Sequence, residues 1–280
     1  MNPKQLLEEA VKTLEAGGVE SARNDAEILL SHVLGVPRAL VALTARPQPD
    51  QLAVFLKMID ARAARTPLQH LTGRAGFRYV DLEVGPGVFV PRPETEVLAG
   101  WATEAARAVG GAPKVVDLCT GSGAIALSVV HEVPSAQVYA VELDELACGW
   151  AQRNLLGTGV DLRQGDAADA FPDLDGAVDV VVANPPYIPL DAWESVAVEA
   201  RDHDPALALW SGDDGLDAIR AIERTAWRLL KPGGVVGIEH ADVQGTSAPA
   251  LFSESEHSWR DVRDNPDLAG RPRFTTARKP

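Results

Sequence analysis

Cysteine is nearly missing from this chain: Cys119 and Cys148 are the two present in 280 residues. A disulfide framework is thereby excluded, and with no Cys-x-x-Cys pair and six scattered histidines a zinc site is not expected either. No metal is implied. Long apolar runs are missing too; none approaches the roughly 20 residues that span a bilayer, so no membrane association is expected. Met1-Asn2-Pro3-Lys4 leads into a charged helical segment with no signal-peptide pattern, which points to a cytoplasmic protein. Positive charge is the third shortage. With 26 Lys and Arg against 40 Asp and Glu, the formal charge of −14 argues against a broad phosphate-binding surface. A small-molecule or protein substrate is therefore favoured over nucleic acid. Repeats and low-complexity segments are absent as well, and 46% apolar residues leave ample material for a core.

What is present divides into three segments, expected over residues 1–75, 76–93 and 94–280. In the first, Leu6, Leu7, Ala10, Val11 and Leu14 share a helical face that ends at Gly17-Gly18. A second helix begins near Asn24-Asp25 and stops at Gly35, and a third runs from Pro49-Asp50 to just before Thr66-Pro67. Three short helices make a thin core, suited to docking or positioning a substrate, or merely to stabilising a neighbour. Phe77, Tyr79, Leu82 and Val84, followed by Gly85-Pro86-Gly87, suggest a β-hairpin connector.

From Lys114 onward strand and helix signals alternate, as a doubly wound, mostly parallel sheet requires. Strands are expected at residues 114–118, 137–141, 161–164, 178–183 and 234–239, with helices at 124–132, 145–155 and 216–230. Two further strands, at 258–262 and 274–277, suit an antiparallel pair at the edge and complete a sheet of seven. The fold class is thus α/β with a small helical N-terminal domain.

Asn184-Pro185-Pro186-Tyr187 follows the apolar run 178–183, where open α/β folds bind ligands. Two adjacent prolines remove two backbone donors and fix two φ angles, so the loop is stiff. The Asn184 side-chain oxygen and the Pro185 carbonyl can both accept from one planar NH2 group, with Tyr187 stacked beside it. An NH2 on an sp2 carbon is a poor nucleophile, and two placed acceptors favour the pyramidal nitrogen that attacks an electrophile. By themselves these four residues are equally readable as a proline-stiffened turn.

Val115 to Ala126 reads as a strand, a turn through Cys119, Thr120, Gly121, Ser122 and Gly123, and a helix start. Gly121-x-Gly123-x-x-Ala126 fits a dinucleotide or an S-adenosylmethionine site alike. Asp117 tips the choice, since a carboxylate there can pair with the ammonium of a methionine moiety but repels a pyrophosphate. Glu142 ends the second strand at the spacing of a ribose-binding acid, and Asp166 with Ala167, after the third, is placed to meet an adenine amino group. Each is also what an ordinary strand-end or turn acid looks like. Cys119 has no local histidine and reads as a small residue packed under a ligand rather than a nucleophile. Glu239-His240 reads as structural or rim-forming. Arg92, between two prolines at the mouth of this domain, is a candidate substrate contact, while Pro93-Glu94-Thr95-Glu96 resembles a helix start.

Taken with Pro67-Leu-Gln-His-Leu-Thr-Gly73, Val90-Pro-Arg-Pro-Glu-Thr-Glu96, Gly215-Leu216-Asp217 and Asp267-Leu-Ala-Gly-Arg-Pro-Arg-Phe274, these motifs resemble the release-factor glutamine methyltransferases (the PrmC/HemK family) nearly end to end. The resemblance implies a class I methyltransferase fold with S-adenosylmethionine as donor. It implies as substrate the Gln of the Gly-Gly-Gln loop of class I peptide chain release factors, held by Asn184 to Tyr187. Asn184 then touches both ligands, and the Gly121–Gly123 turn, Glu142 and Asp166-Ala167 hold the cofactor. Departures are Glu142 where many relatives have Asp, Ala167 where they have an aromatic, Asp204-Pro205 in place of Glu-Pro, and His240-Ala241 in place of a Gly-containing segment. Two other functions share the motifs: an adenine N6-methyltransferase of nucleic acid, and a nucleoside-binding protein without turnover.

Overall fold

Asn2 starts the first helix, α1 (Pro3–Ala16): its side chain accepts from Gln5 N–H at 2.9 Å, and the Gln5 side chain accepts in return from Asn2 N–H. The computed structural model describes residues 2–280 and divides them into two units, residues 2–74 with Ala197–His203, and Ala75–Val196 with Asp204–Pro280. In the first unit α2 (Ala22–Leu34) ends at Gly35, whose φ of 64° is the left-handed stop that glycine accepts most readily. α3 (Pro49–Ala63) follows, then α4 (Leu68–Thr72), a single turn that periodicity does not reveal. Leu6, Leu14, Leu29, Leu30, Phe55 and Ile59 close this core and are all buried.

From Arg74, the last residue of the first unit's opening stretch, the chain enters β1 (Arg74–Phe77) and β2 (Val80–Glu83), a hairpin that turns through Arg78 at φ 52°. Next come α5 (Thr95–Val109), β3 (Lys114–Leu118), α6 (Ala124–Glu132), β4 (Gln137–Glu142), α7 (Glu145–Leu155), β5 (Asp161–Gln164) and β6 (Val178–Ala183). After α8 (Val198–His203) the chain forms α9 (Asp217–Leu229), β7 (Leu230–Glu239), α10 (Ser247–Ser253), β8 (Arg260–Pro266) and β9 (Pro272–Arg278). The seven strands order as β5-β4-β3-β6-β7-β9-β8. The first five pair in parallel, and β9 lies antiparallel between β7 and β8.

Burial on both faces explains the valine runs. Val180 and Val182 point into the layer under α5, α6 and α7, whereas Val181 and Ala183 face α9 and α10, so β6 shows no polar alternation. Winding goes β3, β4, β5 in one direction and resumes at β6 and β7 in the other. The crevice at the C-terminal ends of β3 and β6 is therefore the topological switch point. β7 is longer than expected, taking in Leu230-Lys231-Pro232-Gly233, and its register against β6 shifts between Leu230 and Val235.

Sequence periodicity also gives no hint that α8 belongs with the first unit. Glu199 of α8 accepts two bonds of 2.7 Å from Arg65 and one of 3.1 Å from Arg62, which in turn meets buried Asp25 at 2.8 Å. Burial pushes Glu199 up, but the Arg65 hydrogen bond, its own backbone N–H and Arg62 outweigh it and hold the pKa at about 2. Among the described residues no helix is long and apolar enough to cross a membrane.

Glu199→Gln is expected to lower the unfolding free energy by about 2 kcal/mol at neutral pH, the worth of a lost charge-assisted pair. A depressed carboxylate stabilises fully above its unfolded pKa of about 4.3 and ceases to as pH falls toward the folded value. Denaturant titrations at pH 7 and near pH 2 check this: the difference between wild type and variant shrinks at the lower pH.

Candidate active site

Residues 119–123 turn sharply because Cys119, Gly121 and Gly123 all adopt positive φ, at 63°, 58° and 86°. At Gly121 a side chain would project into open space beside the switch-point cavity, and at Gly123 a Cβ would press on Leu155 at 3.1 Å. The turn is closed from outside by Glu142, whose Oε2 accepts from Gly121 N–H at 2.8 Å and Oε1 from Asp144 N–H at 2.9 Å. Asn154 reaches across to the Ser122 carbonyl at 2.8 Å and to the hairpin at Glu83. The cavity, of about 420 Å³, is lined by Cys119, Thr120, Gly121, Ser122, Glu142, Asp166, Ala167 and all four residues of the Asn184–Tyr187 loop.

Asp117 is placed differently from the expectation. It is 1% exposed and does not line the cavity. Its Oδ2 takes Thr120 Oγ1 at 2.5 Å and Ala126 N–H at 3.1 Å, so it pins the turn to the helix behind it, while its buried Oδ1 has no hydrogen-bond partner. Burial raises its pKa to about 7 despite those bonds. The thiol of Cys119 is likewise pushed up by burial and by the carboxylates of Glu142, Asp117 and Asp166. It stays protonated and is no nucleophile.

Asp166 caps the short turn that follows it, its Oδ1 accepting from Ala168 N–H at 2.8 Å. α9 is tied to the same turn by Thr225 Oγ1 on the Ala168 carbonyl at 2.8 Å. Ile222, one turn before Thr225, thus lines the cavity and supplies apolar surface that Ala167 is too small to provide. No sequence signal marks Ile222 beyond its place on the buried face of α9.

Asn184-Pro185-Pro186-Tyr187 is held at both ends. β6 fixes its start, and Ile188 exchanges backbone bonds of 2.9 Å with Leu209 and Ser211. Gln244 Nε2 donates to the Tyr187 carbonyl at 3.0 Å, and a side chain at Gly215 would stand 2.3 Å from that carbonyl, which explains the glycine of Gly215-Leu216-Asp217. Asn184 Nδ2 donates to Thr95 Oγ1 at 3.2 Å, leaving Oδ1 and the Pro185 carbonyl without a donor among the described residues. Tyr187 donates its hydroxyl to Glu239 Oε1 at 3.2 Å.

Arg92 does not line the cavity. It bonds Asp204, whose side chain is fully buried, at 2.6 Å and lies over the Phe89 ring, so it anchors its own segment. Asp204-Pro205, which departs from the family pattern, thereby keeps a carboxylate that receives this arginine and Val90 N–H. Thr95 is the residue that sequence reasoning missed. Its place after Pro-Glu reads as a helix start, and its hydroxyl emerges as a cavity contact only in three dimensions. Glu239 is 1% exposed, its pKa raised to about 7 by burial against the pull of Thr95, Arg273 and Tyr187. His240, wholly buried, lies with Nε2 3.1 Å from Asp264 and is structural. Among the described residues no cluster of His, Cys, Asp and Glu forms a metal site.

Sheet order and cavity position define the class. Five parallel strands with an antiparallel β9 seated between β7 and β8 make the sheet of class I methyltransferases, whose donor is S-adenosylmethionine. The left-handed turn with its open space at Gly121, and the backbone-held carboxylate of Glu142 beside it, fit that cofactor's amino-acid and ribose ends. The PrmC N-terminal domain matches residues 5–73, and the methyltransferase small domain matches residues 103–200. The chain is 60% identical over 272 residues to the release factor glutamine methyltransferase of Streptomyces coelicolor, spanning 97% of this chain and 96% of that one. It is also 45% identical over 269 residues to a 4-amino-L-phenylalanine/4-methylamino-L-phenylalanine methyltransferase of Streptomyces pristinaespiralis, spanning 94% and 90% of the two chains. A solved protein-(glutamine-N5) methyltransferase (release factor-specific) of Alicyclobacillus acidocaldarius is 28% identical, with a TM-score of 0.43 over 70% of this chain and 98% of that one. The chain belongs to the release factor glutamine methyltransferase family.

Asp117→Ala is expected to destabilise the cofactor-free protein by about 2 kcal/mol, because Thr120 and Ala126 lose a buried acceptor. Thermal unfolding without cofactor reads this directly; an unchanged midpoint would show that the turn holds without the carboxylate.

Proposed function

We propose that this protein transfers a methyl group from S-adenosylmethionine to the side-chain amide nitrogen of the glutamine in the Gly-Gly-Gln loop of class I peptide chain release factors. The observation that carries this reading is the pair of unclaimed acceptors, Asn184 Oδ1 and the Pro185 carbonyl, on a loop that two prolines stiffen beside the cavity. A primary carboxamide has two N–H donors on one nitrogen, which such a pair can take together. Its lone pair is delocalised into the carbonyl. Holding both protons out of the amide plane localises that pair on nitrogen, and the Tyr187 ring flanks the group so that the nitrogen faces one direction.

When bound, the cofactor supplies an electrophilic methyl group on a sulfonium sulfur. Residues of this chain supply alignment. No side chain has to act as a strong base, because an amide nitrogen that has gained a carbon is acidic and loses its proton to water or to a carbonyl such as that of Pro185. Cys119 takes no covalent part, its thiol being held protonated.

Family membership and the charge of −14 favour a protein substrate over a nucleic acid. The 4-amino-L-phenylalanine for which one relative is named also carries an NH2 on an sp2 carbon, so the clamp alone does not select the glutamine. Selection is assigned to surfaces outside the clamp, with the helical unit of residues 2–74 contacting the release factor.

Incubation with labelled donor and purified release factor, duplex DNA or 4-amino-L-phenylalanine is expected to label the Gly-Gly-Gln glutamine alone, as located by mass spectrometry. Label on DNA or on the amino acid instead would overturn the reading. Asn184→Ala is expected to lower kcat by roughly 100-fold with cofactor affinity little changed by calorimetry, since it removes an acceptor for the reacting nitrogen.

A further inference from the structure

We infer that Gln244, a side chain that does not reach the cavity, is a positioning residue for methylation: it fastens together two walls of the cavity, one of which carries the clamp. The inference rests on the clamp reading above. One wall is the loop from Asn184 to Ile188, and the other is formed by Ser211, Gly212, Asp217 and Ala218. Gln244 stands behind both, in the short turn after β7, and is 4% exposed. Its Oε1 accepts from Ala241 N–H at 2.9 Å, and its Nε2 donates to the Tyr187 carbonyl at 3.0 Å and to the Asp214 carbonyl at 3.2 Å. A primary amide has two N–H donors on one nitrogen, so each wall takes one. The direction of the side chain follows from its partners. Ala241 N–H can only donate and the two carbonyls can only accept, so a reversed amide would set like against like at all three contacts.

The Tyr187 carbonyl is the effective point to hold. Pro185 and Pro186 have no N–H, so the loop is gripped at the peptide plane between Tyr187 and Ile188, where the N–H donates to the Leu209 carbonyl at 2.9 Å and the C=O accepts from Gln244. With that plane fixed at both ends, the two proline rings carry the constraint back to the Pro185 carbonyl and to Asn184. The walls meet closely at Gly215, where a Cβ would stand 2.3 Å from the Tyr187 oxygen and 2.7 Å from Gln244 Nε2. Without the amide nothing ties the clamp to the Asp214 segment at this point. The acceptors then shift relative to the rest of the cavity, which misaligns the reacting nitrogen while the surfaces that bind the release factor stay in place.

The experiment compares wild type, Gln244→Met and Gln244→Glu in methylation of a purified release factor, with amide hydrogen exchange measured on the same proteins. Gln244→Met keeps the length of the side chain and has no donor. Gln244→Glu keeps the acceptor for Ala241 N–H and, assayed at a pH of about 9 where its carboxyl is ionised, has no donor for either wall; it carries the test if the methionine variant does not fold. The expected result in each is a fall in kcat of about tenfold, with KM for the release factor and cofactor affinity by calorimetry within about twofold of wild type. Exchange is expected to quicken at the Ile188 amide and to stay unchanged in β6. The inference is overturned if a folded variant keeps wild-type kcat, if KM rises while kcat holds, or if exchange quickens equally through β6, which would make Gln244 a general prop of the sheet; failure of both variants to fold counts the same way. Asn184→Ala is assayed beside them. Its near-normal turnover would overturn the clamp reading, whereas an impaired Asn184→Ala with fully active Gln244 variants would sink this inference alone.

Discussion

A loop with two consecutive prolines at the end of a fully buried strand is the constraint on which this structure depends. Pro185 and Pro186 cannot donate, and their φ angles are set by their rings, so the loop neither continues the ladder nor begins a helix. Left to itself it would still be free to tilt. Several contacts stop that, each worth about 1 kcal/mol: the Ile188 pairing with Leu209 and Ser211, the Gln244 bond to the Tyr187 carbonyl, and the Asn184 bond to Thr95. They come from segments up to 89 residues apart in sequence. The rigidity of the clamp is thus borrowed from the whole sheet.

Three acids near the cavity illustrate how environment assigns roles to one functional group. Asp117 and Glu239 are buried, raised to about 7, and serve as acceptors that orient neighbouring hydroxyls and N–H groups. Glu142 is only partly buried and lines the cavity, its two oxygens steadied by backbone N–H groups on either side. Beneath the surface a carboxylate organises the frame, and at the surface it faces the cavity. The sequence positions of Asp117 and Glu142, each near the end of a strand, do not distinguish these two fates.

Most of the fold was legible because its signals are local. Gly35, Pro49, the valine runs of β3 and β6 and the Gly121-x-Gly123 turn each dictate a conformation from a few residues. α4 and the long start of β7 were not legible, since one helical turn and a proline-bearing strand have no periodicity to read. At the site, Asn184 to Tyr187, Cys119 to Ser122, Glu142 and Asp166-Ala167 all reach one cavity, as the ends of adjacent parallel strands must, while Gly123 closes the turn behind it against Leu155. Asp117 and Arg92 do not, because what decides a side chain's task is the partner that reaches it first: Ala126 and Thr120 for one, Asp204 for the other.

Sequence alone determined the strand order's alternation with helices, the stiff loop, the left-handed turn and, through the motifs together, the family. Tertiary structure alone decided that Thr95 meets Asn184 and Glu239 meets Tyr187, that Ile222 lines the same cavity as Ala167, and that α8 belongs with the helical unit. The reason is physical. Backbone conformation follows from steric limits within a few residues, whereas the direction of a hydrogen bond and the task of a buried charge follow from neighbours that only folding brings within about 3 Å.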